Sequence, residues 1–351
     1  MTILVSAIET SANIHLKALK KELSDDIKLI GIFDKSLGNP NYDISELAVM
    51  GFVDVLKKLP FFLRLKKEML ELASDADEIL LMDSSGFNLP LAKAIKKKYP
   101  NKKINYYILP QAWAWKKKRI PVLEKTCDKL FSILPFEKNY YSINAPIEYA
   151  GHPLLDEIPK MRTDLSHSGK VVFMPGSRSG EIQKLMPIYN EIAKKLDKKS
   201  ILVIPKHFSK EFVSKNYGDT SHFIISYEPY DALYDAEFAY ICSGTATLEA
   251  SLIGTPFVLT YIAKPLDYFI GSRLIKLNYV GLANIFFEKM GKSPMHEEHI
   301  QDNVQEFNLL KAYHTINKEK FLENSLILRE YLKKGSSSYM AKYFNDKVLE
   351  Y

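Results

Sequence analysis

Short apolar runs alternate with helix-like stretches along almost the whole chain, and this alternation constrains the fold more than any other feature. The stretches between the runs include His15 to Leu23 and Leu89 to Lys98, which have helical periodicity. Strands that alternate with helices predict an α/β chain with parallel sheets wound on both faces. The predicted strands are Ile3–Ala7, Leu29–Phe33, Ile79–Met82, Ile104–Ile108, Leu130–Ile133, Val171–Met174, Ile201–Ile204, Phe238–Cys242 and Phe257–Tyr261.

The chain is long enough for two domains, and one segment is suited to join them. It has 351 residues, and residues 151–170 contain two prolines, several charges and small polar side chains. We therefore predict two Rossmann-like domains, one over residues 1–160 and the other over residues 161–335.

Composition limits the class of protein. A hydrophobic share of 46% and a charged share of 26% are typical of soluble globular chains, and a net charge of +6 allows anionic partners. Cys127 and Cys242 stand far apart in apolar surroundings, which predicts reduced core thiols in a cytosolic protein. No signal peptide and no run of ~18 apolar residues is present in the sequence, so any membrane contact is predicted to be peripheral.

Two strand–turn–helix segments in the second half have the character of phosphate sites. In the first, VVFMPGSRSGE from Val171 to Glu181, small residues such as Ser177 let backbone N–H groups approach an anion closely. Arg178 adds a planar fork that can hold a diphosphate at two points. An ordinary loop with a solvated arginine is the alternative interpretation.

The second segment is EFAYICSGTATLE, from Glu237 to Glu249. Ser243, Gly244 and Thr245 open a helix that is closed by Gly254, and such a start favours anions. Glu249 lies one turn further on the same face, where a carboxylate can accept from the hydroxyls of a ribose. A solvated helix carboxylate is the alternative.

Ligands of doubly wound sheets bind at the carboxyl ends of the strands, and two acids stand there in the first half. Glu9 follows the first strand, and Asp83 ends the strand EILLM, where desolvation raises a carboxyl pKa towards the range of a general base. The alternative for Asp83 is a cap on the helix near Leu89. Asp75 and Asp77 precede their strand, away from that edge, so no metal and no cofactor is predicted.

Residues 50–70, MGFVDVLKKLPFFLRLKKEML, interleave apolar and basic residues at helical spacing. This pattern predicts two short helices, divided by Pro60, lying on an anionic bilayer, although an amphipathic pair packed on the sheet gives the same pattern. The predicted membrane or acyl-chain contacts are Phe52, Leu56, Phe61, Phe62 and Arg64.

A second basic-aromatic run begins with Trp113-Ala114-Trp115 and continues through Lys116, Lys117, Lys118 and Arg119. It is suited to phosphate or to a membrane surface. No recognised nucleic-acid-binding module accompanies it, so no nucleic-acid partner is predicted.

Several motifs in order, namely ELAVMGFVDVL, MDSSGFN, LPQAWAWKKKRI, LPFEK, AGHPLLD, GSRSGEI and SGTATLEA, together resemble the lipid-A-disaccharide synthase family of inverting glycosyltransferases. The resemblance implies the GT-B fold, with two Rossmann-like domains facing each other across a cleft and a C-terminal helix, residues 336–351, that returns to the first. It implies transfer of a 2,3-diacylglucosamine unit from UDP to the 6-hydroxyl of 2,3-diacylglucosamine 1-phosphate, in a β(1→6) linkage and without metal. It also implies peripheral attachment to the cytoplasmic face of the inner membrane, and it leaves a homodimer open.

The resemblance also implies roles for particular residues. Asp83 matches the family's candidate base, with Glu9 beside it, and Arg178, Ser243 to Thr245 and Glu249 match its UDP site. Asn284, in GLANIFF, matches a further substrate-binding asparagine. His152, in AGHPLLD, is more typical of a structural residue, and a substrate contact from it stays open.

This chain departs from the family at the first loop, usually Gly-Glu-Xaa-Ser-Gly-Asp. Here Ile8 and Ala12 replace both glycines and Asn13 replaces the acid, while Glu9 and Ser11 are kept. Ser11 and Asn13 are still predicted to contact substrate, on a loop whose path is altered by the loss of glycine. Two other functions remain: a UDP-N-acetylhexosamine epimerase on the same scaffold, and a non-enzymatic nucleotide-binding protein docked on a membrane.

Overall fold

The computed structural model describes residues 1–45, 59–114, 116–165, 169–263 and 277–348. The chain divides into two compact units, the first formed by Met1–Glu157 with Leu332–Tyr351 and the second by Ile158–Tyr331. Among the described residues, no helix combines the length and the apolar content needed to cross a bilayer.

The strands follow one another along both units. In chain order they are β1 (Thr2–Ser6), β2 (Lys28–Phe33), β3 (Tyr42–Asp43), β4 (Glu78–Met82), β5 (Lys103–Tyr107), β6 (Lys129–Ser132), β7 (Ile147–Tyr149), β8 (Lys170–Met174), β9 (Lys199–Val203), β10 (Ile224–Ser226), β11 (Ala236–Cys242), β12 (Phe257–Tyr261) and β13 (Glu298–Ile300).

Helices connect most of these strands. They are α1 (Thr10–Lys20), α2 (Leu59–Leu72), α3 (Ser85–Lys98), α4 (Ile120–Thr126), α5 (Leu154–Glu157), α6 (Ser179–Lys195), α7 (Lys210–Tyr217), α8 (Pro229–Asp235), α9 (Thr245–Ile253), α10 (Leu282–Lys289), α11 (Glu306–Thr315), α12 (Lys318–Leu332) and α13 (Ser336–Val348).

Each unit contains one parallel sheet. The sheet of the first unit has the order β3-β2-β1-β4-β5-β6-β7, and that of the second has the order β10-β9-β8-β11-β12-β13. All nine predicted strands are confirmed, with bounds shifted by at most two residues. Four further strands, β3, β7, β10 and β13, were missed, and each of them is an edge of its sheet.

Helices cover both faces of the first sheet. The core on one face includes Leu65 and Met69 of α2, and the core on the other includes Leu16 of α1 with Met340 and Phe344 of α13. Helix α13 is further fixed to this sheet by a 2.8 Å hydrogen bond from the Tyr343 hydroxyl to Asn105 Oδ1. The last segment of the chain therefore completes the first unit.

The start of α1 differs from the prediction. Helix α1 begins at Thr10, five residues before His15, so Ser11 and Asn13 lie in its first turns and not in an extended loop. Ser11 is exposed, whereas Asn13 is buried and its amide donates to the carbonyls of Ala7 and Glu9. Only three residues, Ala7 to Glu9, separate β1 from α1.

Candidate functional site

Two helix starts in the second unit border one cavity of about 670 Å³. β8 and β11 are parallel neighbours, so the turns that follow them lie side by side. Helix α6 follows the first turn and α9 the second, and within the described residues neither start is capped by a side chain. First-turn N–H groups and the positive ends of two helix dipoles are thus available to an anion here.

This cavity, called the anion pocket below, collects the residues predicted for the second unit's nucleotide site. Those residues are Ser177, Arg178, Ser243, Gly244, Thr245 and Glu249, and all of them line it. Asn284 does not line it.

Gly176, in the turn after β8, lies too close to neighbouring side chains to accommodate a Cβ atom. Its φ is +98°, and a Cβ at this position would lie 2.7 Å from Glu181 Oε2 and 3.0 Å from Cys242 Sγ. Glu181 is largely buried and accepts a 2.9 Å hydrogen bond from Nη1 of Arg178, whose side chain is 79% exposed. This ion pair raises the pKa of Arg178 and fixes one side of its guanidinium at the rim of the pocket.

Sequence reasoning missed several residues that line the anion pocket. Tyr230 donates a 3.4 Å hydrogen bond to Oε1 of Glu249, and Lys206 forms a 2.5 Å ion pair with Glu228. Tyr227 is about half exposed at the same place. These residues follow β9 and β10, and the phrase YEPYD was the available signal for a turn at this edge.

Asp83 lies at the carboxyl end of β4, the neighbour of β1 in the first sheet. Burial, and after it the negative charge of Glu9, raises the pKa of Asp83 above its ordinary value, which confirms the predicted direction. The helix after it begins at Ser85 with Ser84 as its N-cap residue, so the alternative role of Asp83 as a cap near Leu89 is wrong. Asp83 is a half-buried acid immediately before a helix start.

The turn at Asp83 is strained. Asp83 and Ser84 have φ values of +48° and +39°, a left-handed conformation that costs most L-residues ~1–2 kcal/mol and that aspartate tolerates better than serine. Asn88 stabilises the turn, because its amide donates 3.0 Å hydrogen bonds to the carbonyls of Met82 and Asp83. Tyr106 also donates its hydroxyl to the Asp83 carbonyl. Such strain, held by neighbouring elements, is common at functional sites.

Glu9 contacts this turn directly. Its Oε1 accepts a 2.8 Å hydrogen bond from the Ser84 hydroxyl, so the two acids predicted at this edge lie together. Oδ1 of Asn13 accepts a hydrogen bond from the backbone N–H of Asp34, which joins the start of α1 to the residue that follows β2. Both side-chain N–H groups of Asn13 are already engaged, so a substrate contact through them would require an internal bond to break.

Two other predicted substrate residues are buried within their own units. The amide of Asn284 donates to the His296 carbonyl and to Glu298, and its oxygen accepts from the N–H groups of Met295 and His296. His152 is buried, which lowers the pKa of its imidazole to about 3, and its backbone N–H donates to the carbonyls of Leu332 and Lys333. These surroundings favour the structural interpretation of His152, and the side chain of Asn284 is engaged in internal hydrogen bonds away from the anion pocket.

The predicted membrane segment is described only from Leu59 onwards, so Phe52 and Leu56 lie outside the described residues. Pro60 occupies the first turn of α2, where proline is tolerated. Phe61 and Phe62 are half-buried and pack against the core of the first unit. Leu63 and Arg64 of the same helix are exposed.

The basic-aromatic run divides into a buried and an exposed part. Trp113 is buried, with its ring centroid 4.8 Å from that of Phe136, so the prediction that it faces phosphate or membrane is wrong. Lys116, Lys117 and Lys118 are exposed. Trp115 lies outside the described residues.

Sequence comparison gives a consistent set of relatives. The family model described as Lipid-A-disaccharide synthetase matches residues 3–345. The lipid-A-disaccharide synthase of Helicobacter pylori (strain G27) is 50% identical over 353 residues, covering 97% of each chain. That of Campylobacter jejuni subsp. jejuni is 43% identical over 369 residues, covering 98% of this chain and 99% of the relative.

Solved structures resemble this chain in fold alone. MurG of Acinetobacter baumannii matches with a TM-score of 0.59 at 13% identity, over 97% of this chain and 98% of its own. The UDP-GlcNAc 2-epimerase of Neisseria meningitidis, solved with UDP-GlcNAc, matches with a TM-score of 0.57 at 11% identity, over 100% and 99%. The predicted class, two Rossmann-like α/β domains of the GT-B type, is confirmed.

Proposed function

Because the chain belongs to the lipid-A-disaccharide synthetase family, we propose that it transfers a 2,3-diacylglucosamine unit from UDP to the 6-hydroxyl of 2,3-diacylglucosamine 1-phosphate. The products are the β(1→6)-linked disaccharide 1-phosphate and UDP. The observation that carries this proposal is the anion pocket, in which two helix starts, Arg178 and Glu249 border one cavity.

The anion pocket is suited to the UDP part of the donor. The diphosphate accepts hydrogen bonds from the N–H groups that open α6 and α9, and Arg178 neutralises part of its charge. Glu249 accepts from the ribose hydroxyls. These groups are fixed before the reaction begins, so they stabilise the negative charge that grows on the departing UDP without needing a metal.

Asp83 is the proposed general base. In the step, the acceptor O6 forms a bond to C1 of the donor sugar, the bond from C1 to the diphosphate oxygen breaks, and the O6 proton passes to the Asp83 carboxylate. Attack opposite the leaving group inverts the configuration at C1. The raised pKa makes Asp83 a stronger base than an ordinary solvated aspartate.

Both substrates are proposed to reach the enzyme from the cytoplasmic face of the inner membrane. Exposed Leu63 and Arg64 on α2 are suited to a bilayer surface, where each basic residue contributes ~1 kcal/mol of attraction to anionic lipid. Half-buried Phe61 and Phe62 on the same helix are proposed to meet acyl chains. Peripheral attachment follows from this surface.

Incubation with both lipids followed by mass spectrometry tests the proposal. The expected products are the disaccharide 1-phosphate and one UDP per disaccharide. Turnover of a water-soluble UDP-N-acetylhexosamine alone, without disaccharide from the lipids, would establish the epimerase instead. UDP binding and liposome sedimentation without any product would establish the non-enzymatic alternative.

A further inference from the structure

The segment after β5 emerges beside Asp83, because β5 is the neighbour of β4 in the first sheet. It begins with Ile108, whose φ of +60° is an outlier for a β-branched residue. Buried Trp113 anchors the segment before its basic run, and buried Ile120 anchors it afterwards. The lysines between these anchors are therefore presented at a defined place on the first unit.

Arg119 connects this segment to the turn that carries the proposed base. Its Nη1 donates a 2.5 Å hydrogen bond to Oγ of Ser85, two residues after Asp83. Lys117 and Lys118 precede it in one 3-10 turn and are exposed. Arg119 thus contacts the residue two positions after a half-buried carboxylate, and two exposed lysines precede it in sequence.

The acceptor of the proposed reaction carries complementary groups on one sugar ring. Its 6-hydroxyl must reach the base, and its phosphate is attached at C1, across the same ring. A base and a phosphate-binding cation are therefore needed about one sugar width apart. Arg119 is hydrogen-bonded to Ser85, two residues after Asp83, so a cation lies at the far end of the turn that carries the proposed base.

We propose that Arg119 binds the 1-phosphate of the acceptor, with Lys117 and Lys118 contributing further positive charge. This inference rests on the proposed function. A guanidinium matches a phosphate through two parallel N–H donors, which orients the ring and places its 6-hydroxyl towards Asp83. Arg119 thereby distinguishes a phosphorylated acceptor from one without phosphate.

The test compares two acceptors that differ only at C1, one with the phosphate and one with a methyl glycoside. The variants are Arg119→Gln, Arg119→Lys and, as a matched control, Lys97→Gln. The control removes one exposed charge from the last turn of α3, and the length of this helix separates Lys97 from Asp83. The acceptor kcat/KM is measured at saturating donor. If the methyl glycoside reacts too slowly, its Kd in detergent micelles replaces kcat/KM.

Arg119→Gln is expected to lower kcat/KM for the phosphorylated acceptor by about 10- to 100-fold, the effect of losing a charge-assisted contact. The kcat/KM for the methyl glycoside should change by no more than a few-fold in this variant. For Arg119→Lys, kcat/KM for the phosphorylated acceptor should lie between the values of the parent and of Arg119→Gln, because lysine keeps the positive charge and loses the two parallel N–H donors of the guanidinium. Lys97→Gln should match the parent with both acceptors.

Three results would overturn this inference. No change in either acceptor removes Arg119 from binding, and equal losses with both acceptors assign it to holding Ser85 in place. Equal losses accompanied by weaker sedimentation with anionic liposomes assign it to lipid headgroups. Failure of the parent to form any disaccharide would instead overturn the proposed function, so the two failures are distinct.

Discussion

The hydroxyl of Ser84 donates a 2.8 Å hydrogen bond to the carboxylate of Glu9, which joins the turn after β4 to the end of the loop after β1. Because β1 and β4 are parallel neighbours, their carboxyl ends meet at one edge, and the bond brings Glu9 close to Asp83. The negative charge of Glu9 is one cause of the raised pKa of Asp83. The pair therefore affects both the proposed chemistry and the stability of this edge.

Replacement of Asp83 by Asn should reduce kcat by about 10²- to 10⁴-fold, the usual contribution of a general base. Asn tolerates a φ of +48° well, whereas Ala does not, so Asp83→Ala should lose the same activity and also lower the unfolding free energy by ~1 kcal/mol. Steady-state kinetics and urea unfolding of both variants measure these effects. Turnover of Asp83→Asn within a few-fold of the parent would remove Asp83 from the role of base.

The pH dependence of kcat should reflect the surroundings of Asp83. A base acts in its ionised form, so kcat falls as the pH drops through the pKa of Asp83, which lies above its ordinary 3.8. Glu9→Gln removes a cause of that elevation and should move the acidic limb of the profile to lower pH. Glu22→Gln, a remote exposed change, should not move it.

A large loss of kcat in Glu9→Gln at every pH would contradict this assignment of the base. It would identify Glu9 as the base and Asp83 as its neighbour. In the pH profile of kcat for Glu9→Gln, a shift of the acidic limb assigns Asp83 as the base, whereas a lower plateau at all pH values assigns Glu9.

Gly176→Ala should destabilise the second unit and weaken UDP binding. A methyl group would be forced within 2.7 Å of Glu181 Oε2 at a φ of +98°, and the left-handed backbone alone costs ~1–2 kcal/mol. Gly180→Ala is the control for stability, because its Cβ would meet nothing within 4 Å and alanine is the better helix former. Calorimetric titration with UDP and urea unfolding measure both effects. Equal stability of the two variants would contradict the predicted clash.

Arg329→Gln should lower the unfolding free energy of the second unit by ~2–4 kcal/mol. Its guanidinium donates to the carbonyls of Leu252 and Ile253, at the end of α9, and to that of Arg162, at 2.7 to 3.1 Å, and these buried acceptors would lose charged donors. UDP affinity should stay within a few-fold, because the start of α9, not its end, borders the anion pocket.

Lys320→Gln on the same helix, α12, is the control for Arg329→Gln. Lys320 is exposed and forms an ion pair with Glu323, which is also exposed, so its loss should change the unfolding free energy by no more than ~0.5 kcal/mol. Denaturant unfolding compares the two variants. A similar small effect in both would show that the carbonyls are satisfied by water.

The amino-acid sequence by itself determined the central strands and the anion-binding turns. Buried parallel strands are continuous apolar runs, and the turns after β8 and β11 are local combinations of glycine, serine and threonine before a helix. Both kinds of signal lie within a few consecutive residues. The residues of these two turns, with Glu249, accordingly line one cavity.

Only the tertiary structure decided the edges of the sheets and the turn at Asp83. The edge strands β3, β7, β10 and β13 have two or three residues each and are mostly half-exposed, so they leave no apolar run to detect. The left-handed backbone at Asp83 depends on Asn88 and on Tyr106 of β5, and its raised pKa depends on burial and on Glu9 from another loop. Such effects arise from residues distant in sequence that folding brings together.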